Sequence, residues 1–178
     1  DGWIDLAISY IYKDTVFIYL GGITTDTIPD KILAGEQNNF GYNGFGYIIE
    51  SGDVNGDGFD DLIIGGSDII DTLNYLRGKL YVFAGGLTIN TIPKTILLGD
   101  TTRTGLGWAV IAGDINNDKK KDIISLGYNQ VSSVGKNQFY YFSIFSGDNN
   151  FNLKRNYYKR ISFDGFGQLL IKSFDVDG

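Results

Sequence analysis

The sequence predicts an all-β chain assembled from repeated four-stranded units, the pattern of β-propeller blades. Three observations carry that prediction. A Gly-x-Gly element recurs as Gly44-Phe45-Gly46, Gly105-Leu106-Gly107 and Gly165-Phe166-Gly167. Each is followed by a short apolar run ending on an Asp, at 53, 114 and 175, so the repeat length is 61 residues both times. A second landmark keeps its own register: Gly21-Gly22-Ile23-Thr24 leading to Thr27-Ile28-Pro29 returns as Gly85-Gly86-Leu87-Thr88 leading to Thr91-Ile92-Pro93.

Taken in order, the elements of the middle unit read as short strands. Tyr47 to Val54 is the first, Asp61 to Gly66 the second, Lys79 to Ala84 the third and Thr95 to Leu98 the fourth. Period-2 alternation is clear in Lys79-Leu80-Tyr81-Val82-Phe83 and in Thr15-Val16-Phe17-Ile18-Tyr19. The Gly-, Asn- and Asp-rich stretches between them are turns. No segment sustains a 3.6-residue period over three turns, so no long helix is expected. Residues 1–43 read as a blade lacking its first strand, 44–104 and 105–164 as complete blades, and 165–178 as the first strand of another. Three blades are too few to close a ring, so the chain is expected to be part of a larger propeller. Its neighbours would be blades of the same polypeptide or of another copy.

Composition narrows the function. Of 178 residues, 43% are hydrophobic, and 12 Tyr and 12 Phe suit pleated, half-buried surfaces. Net charge is −6, and the only basic clusters are Lys119-Lys120-Lys121 and the stretch from Lys154 to Arg160. A nucleic-acid partner would need a basic face, so none is expected. Nothing approaches a membrane-spanning apolar run, so no membrane insertion by this segment is expected. There is no Cys, which removes thiol catalysis and thiolate metal sites, and no His, the commonest general base near neutral pH.

The chemistry-bearing feature is the loop Asp53-Val54-Asn55-Gly56-Asp57-Gly58-Phe59-Asp60-Asp61. Side-chain oxygens fall at loop positions 1, 3, 5 and 9, and Gly58 at position 6 permits a sharp turn. A hard cation such as Ca²⁺ wants six to eight oxygens on a loop that curls around it. Asp53, Asn55, Asp57 and Asp61 would supply side chains and Phe59 its carbonyl. An ordinary Asx-rich hairpin would not need four inward oxygens. An EF-hand would need a bidentate Glu at position 12, where Ile64 stands between strand-like flanks.

The next unit repeats the set as Asp114, Asn116, Asp118 and Asp122. Lys119 replaces the position-6 Gly, and the three lysines oppose a cation, so weaker binding is expected there. A further copy is divided between the chain's ends: Asp175 and Asp177 open a loop, and Asp1 and Asp5 close one. Each half would be completed by residues of a neighbouring blade.

Gly44-Phe45-Gly46, then Gly52 to Gly58, then Asp61-Leu62-Ile63-Ile64-Gly65-Gly66, resembles the FG-GAP repeat of integrin alpha-chain propellers and related bacterial and protist surface proteins. The resemblance implies a seven-bladed extracellular or cell-surface propeller, with Ca²⁺ in hairpin loops stiffening one face. It also implies a protein or glycan ligand bound through loops at one end. The sequence departs from the pattern at Leu106, which replaces the Phe, and at Gly65-Gly66-Ser67, where the family has Gly-Ala-Pro.

The expected function is therefore a non-catalytic, calcium-binding adhesion or scaffolding module. Two alternatives are a lectin-like propeller and an accessory propeller of a secreted hydrolase or lyase. A glycosidase needs only two carboxylates, but the Asp residues in recognisable positions are already placed in the loops. A repeated lectin pocket would carry its aromatic at one register. Trp3 falls in a loop while Trp108 opens a first strand, so both rings are read as blade packing. Tyr140-Tyr141 and Tyr157-Tyr158 are read as strand and edge residues.

Overall fold

The computed structural model describes residues 2–24, 27–36, 44–66, 77–100, 105–129 and 138–163. They form three antiparallel sheets and one short 3-10 turn, Ile11–Lys13. The first sheet holds β1 (Leu6–Tyr10), β2 (Thr15–Tyr19) and β3 (Lys31–Ala34) in that order. The second holds β4 (Ile48–Gly52), β5 (Asp61–Gly66), β6 (Lys79–Phe83) and β7 (Thr95–Leu98). The third is β8 (Ala109–Gly113), β9 (Asp122–Asn129), β10 (Gln138–Ser146) and β11 (Lys154–Phe163), also in sequence order. No described helix is long and apolar enough to cross a membrane.

Each sheet is a meander whose strands pair with their sequence neighbours, as a propeller blade requires. The expected strands match closely; β4 is shorter at both ends, and β6 stops one residue earlier. Because neighbouring strands run in opposite directions, the β4–β5, β6–β7, β8–β9 and β10–β11 connections share one end. The β2–β3 connection and residues 2–5 lie at that same end of the first sheet.

Two cores hold the sheets face to face. Between the first and second lie Val16, Ile18 and Leu33 against Leu62, Ile64, Tyr81 and Phe83. Between the second and third lie Ile63, Leu80, Val82 and Leu97 against Val110, Ile123 and Phe145. Alternate residues of β5 therefore serve opposite cores, which explains why all six of its residues are buried. The Phe of the Gly-x-Gly element plugs the first seam: Phe45 is fully buried, edge-on to Tyr81 at 5.1 Å between ring centroids. Leu106 occupies the second seam in the same way, so its departure from Phe leaves the architecture intact. The glycine after it is obligatory, since Gly107 has φ +89° and a Cβ would come 2.8 Å from the Lys79 carbonyl oxygen.

Trp108 packs as expected, with ring centroids 5.2 Å from Tyr47 and 5.3 Å from Tyr128. Trp3 differs: it is 54% exposed, at the loop position where Phe59 is 40% exposed in the second unit. The face of the first sheet turned away from the second has no sheet against it among the described residues. Leu6 and Ile8 share that exposure, whereas their repeat equivalents Leu62 and Ile64 are buried. Tyr140 and Tyr141 are buried in β10, and Tyr157 and Tyr158 are partly exposed on the edge strand β11.

Candidate metal centre

Loops 53–61 and 114–122 have the same internal construction. In the first, Asp53 Oδ1 accepts the backbone N–H groups of Gly56 (2.6 Å) and Asp57 (3.1 Å), and Oδ2 accepts that of Gly58 (2.8 Å). In the second, Asp114 Oδ1 accepts from the Asp118 N–H (3.1 Å) and Oδ2 from the Lys119 N–H (2.8 Å). Asn55 and Asn116 each accept the N–H two residues on, from Asp57 and Asp118. Asp57 and Asp118 in turn accept from Phe59 and Lys120. The oxygen-bearing residues at positions 1, 3 and 5 thus organise their own loop backbone.

The left-handed positions repeat as well. Gly56 and Gly58 have φ of +80° and +90°, while Asn117 and Lys119 hold +61° and +70°. Lys119 therefore adopts the turn that favours Gly, at the cost of a Cβ crowded against the backbone. The lysine triplet is not simply a field opposing a cation. Lys120 Nζ lies 3.5 Å from Asp118 Oδ2, and its stem covers Gly56 of the neighbouring loop, where a Cβ would sit 3.1 Å from Lys120 Cγ.

The position-9 residues do a second job that sequence reasoning missed. Asp61, fully buried, accepts the Val54 N–H on Oδ2 and the Gly85 N–H on Oδ1, both at 2.9 Å. Asp122, equally buried, accepts the Ile115 N–H (3.1 Å) and the Gly147 N–H (3.0 Å). Asp5 accepts the Gly21 N–H at 2.8 Å. Each of these carboxylates ties the start of a blade's second strand to the glycine that follows its third. The Gly-Gly landmark that revealed the repeat was the available signal, since Gly21 and Gly85 are those acceptors' partners.

Burial pushes the Asp61 carboxyl above the usual carboxylate range; its two N–H partners pull it down, and the nearby Asp57 and Asp53 charges push it up again. Asp118 is held below that range, chiefly by the Lys120 N–H, with the Asn116 side chain and the Lys120 ammonium helping.

The donors fit a hard cation in kind: carboxylate and amide oxygens at alternating positions, with excess negative charge around Asp61. In their present arrangement they satisfy the loop backbone, and Asn55 Nδ2 donates to Asp57 Oδ2 at 2.8 Å. Among the described residues, no three His, Cys, Asp or Glu side chains converge as a metal cage. Phe59 donates its N–H to Asp57 and leaves its ring 40% exposed. Asp1, Asp175 and Asp177 lie outside the described residues.

The two loops are joined across the blade boundary. The Lys121 N–H donates to the Asp53 carbonyl at 2.8 Å, and the Asp148 N–H to the Val54 carbonyl at 2.9 Å. Asp61, Val54, Asp148, Gly147 and Asp122 therefore lie along one chain of hydrogen bonds and peptide links.

Comparison with known proteins agrees with this architecture. The family model of the FG-GAP-like repeat matches residues 53–125. Integrin alpha-7 of Mus musculus is 33% identical over 114 residues, which cover 63% of this chain and 9% of that protein. Integrin alpha-5 of Xenopus laevis is 33% identical over 84 residues, 44% of this chain and 8% of that protein. Phosphatidylinositol-glycan-specific phospholipase D of Bos taurus is 29% identical over 108 residues, 59% of this chain and 13% of that protein. The chain is thus similar to only about a tenth of the length of these relatives.

Proposed function

We propose that this FG-GAP-repeat propeller segment is a non-catalytic, calcium-stiffened binding module of an extracellular or cell-surface protein. The observation that carries the reading is the in-register duplication of the Asp-x-Asx-x-Asp loop at one end of stacked blades, down to its left-handed positions. Ca²⁺ would be held at 53–61 by Asp53, Asn55, Asp57, Asp61 and the Phe59 carbonyl, and at 114–122 by Asp114, Asn116, Asp118 and Asp122. Bound there, the ion supplies charge neutralisation. The chain's own residues supply the loop's shape and, through Asp61 and Asp122, its attachment to the rest of the blade.

In this reading the chain divides at 43/44, 104/105 and 164/165. Asp1 and Asp5 would share a site with the blade before them, and Asp175 and Asp177 with the blade after. The exposed Leu6 and Ile8, whose equivalents are buried, support a further blade against the first sheet. A protein or glycan partner would dock on propeller loops, as the similarity to integrin alpha chains suggests. The similarity to a phospholipase D favours a second reading, the accessory propeller of a hydrolase. Titration calorimetry with calcium tests the cation sites. Heat that Asp57→Ala abolishes at one site supports the reading, and the absence of any uptake contradicts it.

A further inference from the structure

The basic stretch from Lys154 to Arg160 takes no part in the cation loops, and the fold makes it an edge. β11 is the outer strand of the third sheet and has no strand beyond it among the described residues. It holds 10 residues, where the outer strands β3 and β7 of the other sheets hold 4 each. A register shift at Ile144/Phe145 leaves Asn156 with no residue opposite it, so the uninterrupted run is Tyr157 to Phe163. That run leads away from the end that carries the Asp loops. Stacking of blades does not close such an edge. β7 belongs to the sheet packed between the other two, yet its Ile96 and Leu98 are 38% and 51% exposed.

Charge separates this edge from the rest of the chain. Residues 105–163 hold eight Lys and Arg against four Asp, while the whole chain holds 15 against 21. Lys154, Arg155, Lys159 and Arg160 lie on the exposed stretch of β11, and no carboxylate occurs between Asp148 and Asp164. Asp164 lies outside the described residues. Two described carboxylates stand near the strand, and both are engaged. Asp100 pairs with Arg155 at 2.7 Å, and Asp148 accepts the N–H groups of Asn150 and Asn152 in its own turn. Lys154 and Lys159 make no ion pair among the described residues. The Asp loops lie at the Lys154 end. Lys159 stands roughly 15 Å further along the strand, beyond the screening length of about 8 Å at physiological salt.

The placing of these cations identifies the partner. Residues directly opposite across the β10–β11 pair share a face. Arg155, Tyr158 and Arg160, opposite Phe145, Ser143 and Tyr141, lie on the face toward the second sheet. Lys154, Tyr157 and Lys159, opposite Ser146, Ile144 and Phe142, lie on the other. A linear polyanion laid along one face would meet only half of the charge. An added strand sends its side chains to both faces in turn, and its backbone meets the unpaired N–H and C=O groups of the edge. A second β11 is a poor partner, since its Lys and Arg would face these; natural sheet edges use that guard against self-pairing. Glu or Asp on the incoming strand turns the same guard into attraction. We infer that the outer edge of β11 takes up an extended acidic segment of a partner protein as a fifth strand, along Tyr157 to Phe163. The inference needs no cation in the loops, and it places the contact on the outer edge of a blade instead of on its loops.

The test is fluorescence anisotropy in chelator with three labelled, end-capped peptides. One is built of Glu, Thr and Val, and the second has Lys in place of Glu. The third keeps Glu but is N-methylated at its central residues, which removes backbone donors on both edges and leaves the charge unchanged. The acidic peptide should bind and the lysine peptide should not. The N-methylated peptide should bind at least about tenfold more weakly, because several backbone hydrogen bonds are lost. Lys154→Glu/Lys159→Glu changes two exposed side chains that make no ion pair among the described residues. It should lose the acidic peptide and take up the lysine one, with thermal unfolding unchanged. An N-methylated peptide that binds as well as its parent overturns strand addition, as does heparin binding more tightly than the acidic peptide. Either result makes the edge a general anion surface. An acidic peptide that does not bind, or that the double variant still binds, overturns the proposal outright. None of these outcomes touches the cation sites, which calorimetry reads separately.

Discussion

The Lys121 N–H donates to the Asp53 carbonyl at 2.8 Å, linking the residue before the last acidic position of one loop to the first residue of the next. Ordering either loop therefore removes part of the freedom the other must lose on binding a cation. Asp114→Ala, which disables loop 114–122, should weaken calcium binding at 53–61 by about fivefold or more, the range of ordinary site coupling. Calorimetry that finds the affinity of the first loop unchanged would show that the sites act independently.

Asp61 and Asp57 should respond differently to truncation. Asp61→Ala leaves the N–H groups of Val54 and Gly85 without an acceptor in a fully buried position. It should cost roughly 2–4 kcal/mol of stability, about 1–3 for each orphaned donor less what local relaxation recovers, even in chelator. Asp57 sits in the exposed part of the loop, so Asp57→Ala should change stability mainly when calcium is present. Denaturant unfolding of both variants in chelator separates these roles, and equal losses would refute the distinction.

Lys119 holds φ +70° where the first loop has Gly58. Lys119→Gly should stabilise the chain by about 1 kcal/mol, less the freedom Gly adds to the unfolded chain. It should also tighten calcium binding at 114–122, because a charge and a strained turn leave together. Two loops that bind equally in the parent, or a variant no more stable than the parent, would contradict this account.

Acid should release calcium from loop 53–61 unusually early. Burial raises the folded Asp61 carboxyl above its unfolded value, so without metal its ionised form is a penalty that lessens as pH falls through the folded value. Bound calcium opposes that protonation, so the ion is displaced over the same raised pH range. Asp118 in the other loop is shifted down, so its ionised form persists to lower pH. Calcium titrations at falling pH should show the first loop losing affinity before the second. The reverse order would mean that Asp61 does not contribute to the site.

The fold was legible because the repeat is written in residues with single structural roles. Gly46 and Gly107 sit at positive φ beside a seam residue; the alternation in β6 sends Leu80 and Val82 to one core and Tyr81 and Phe83 to the other, and that in β2 sends Val16 and Ile18 to a core. The loop register was legible for the same reason, since Asp53 and Asp114 open loops of the same spacing and each accepts the N–H groups that turn its loop. What the sequence did not reveal depends on contacts between distant segments. Nothing local to Asp61 announces Gly85 as a partner 24 residues on, and nothing in Lys119-Lys120-Lys121 shows that Lys120 covers the adjacent blade's Gly56. Charge read along the chain made that triplet a repulsive field; charge read in space makes it partly a pin between blades.

Thermal unfolding of the chain and of Asp57→Ala, each in calcium and in chelator, tests the central claim most directly. At calcium about 100-fold above the Kd, one occupied site should add about 2.7 kcal/mol. In a chain of this size that is a rise in Tm of roughly 5–10 °C. The account predicts that rise for the parent and a much smaller one for Asp57→Ala, with the two indistinguishable in chelator. If both proteins melt at the same temperature in calcium as in chelator, loop 53–61 is an ordinary hairpin and the calcium reading is wrong.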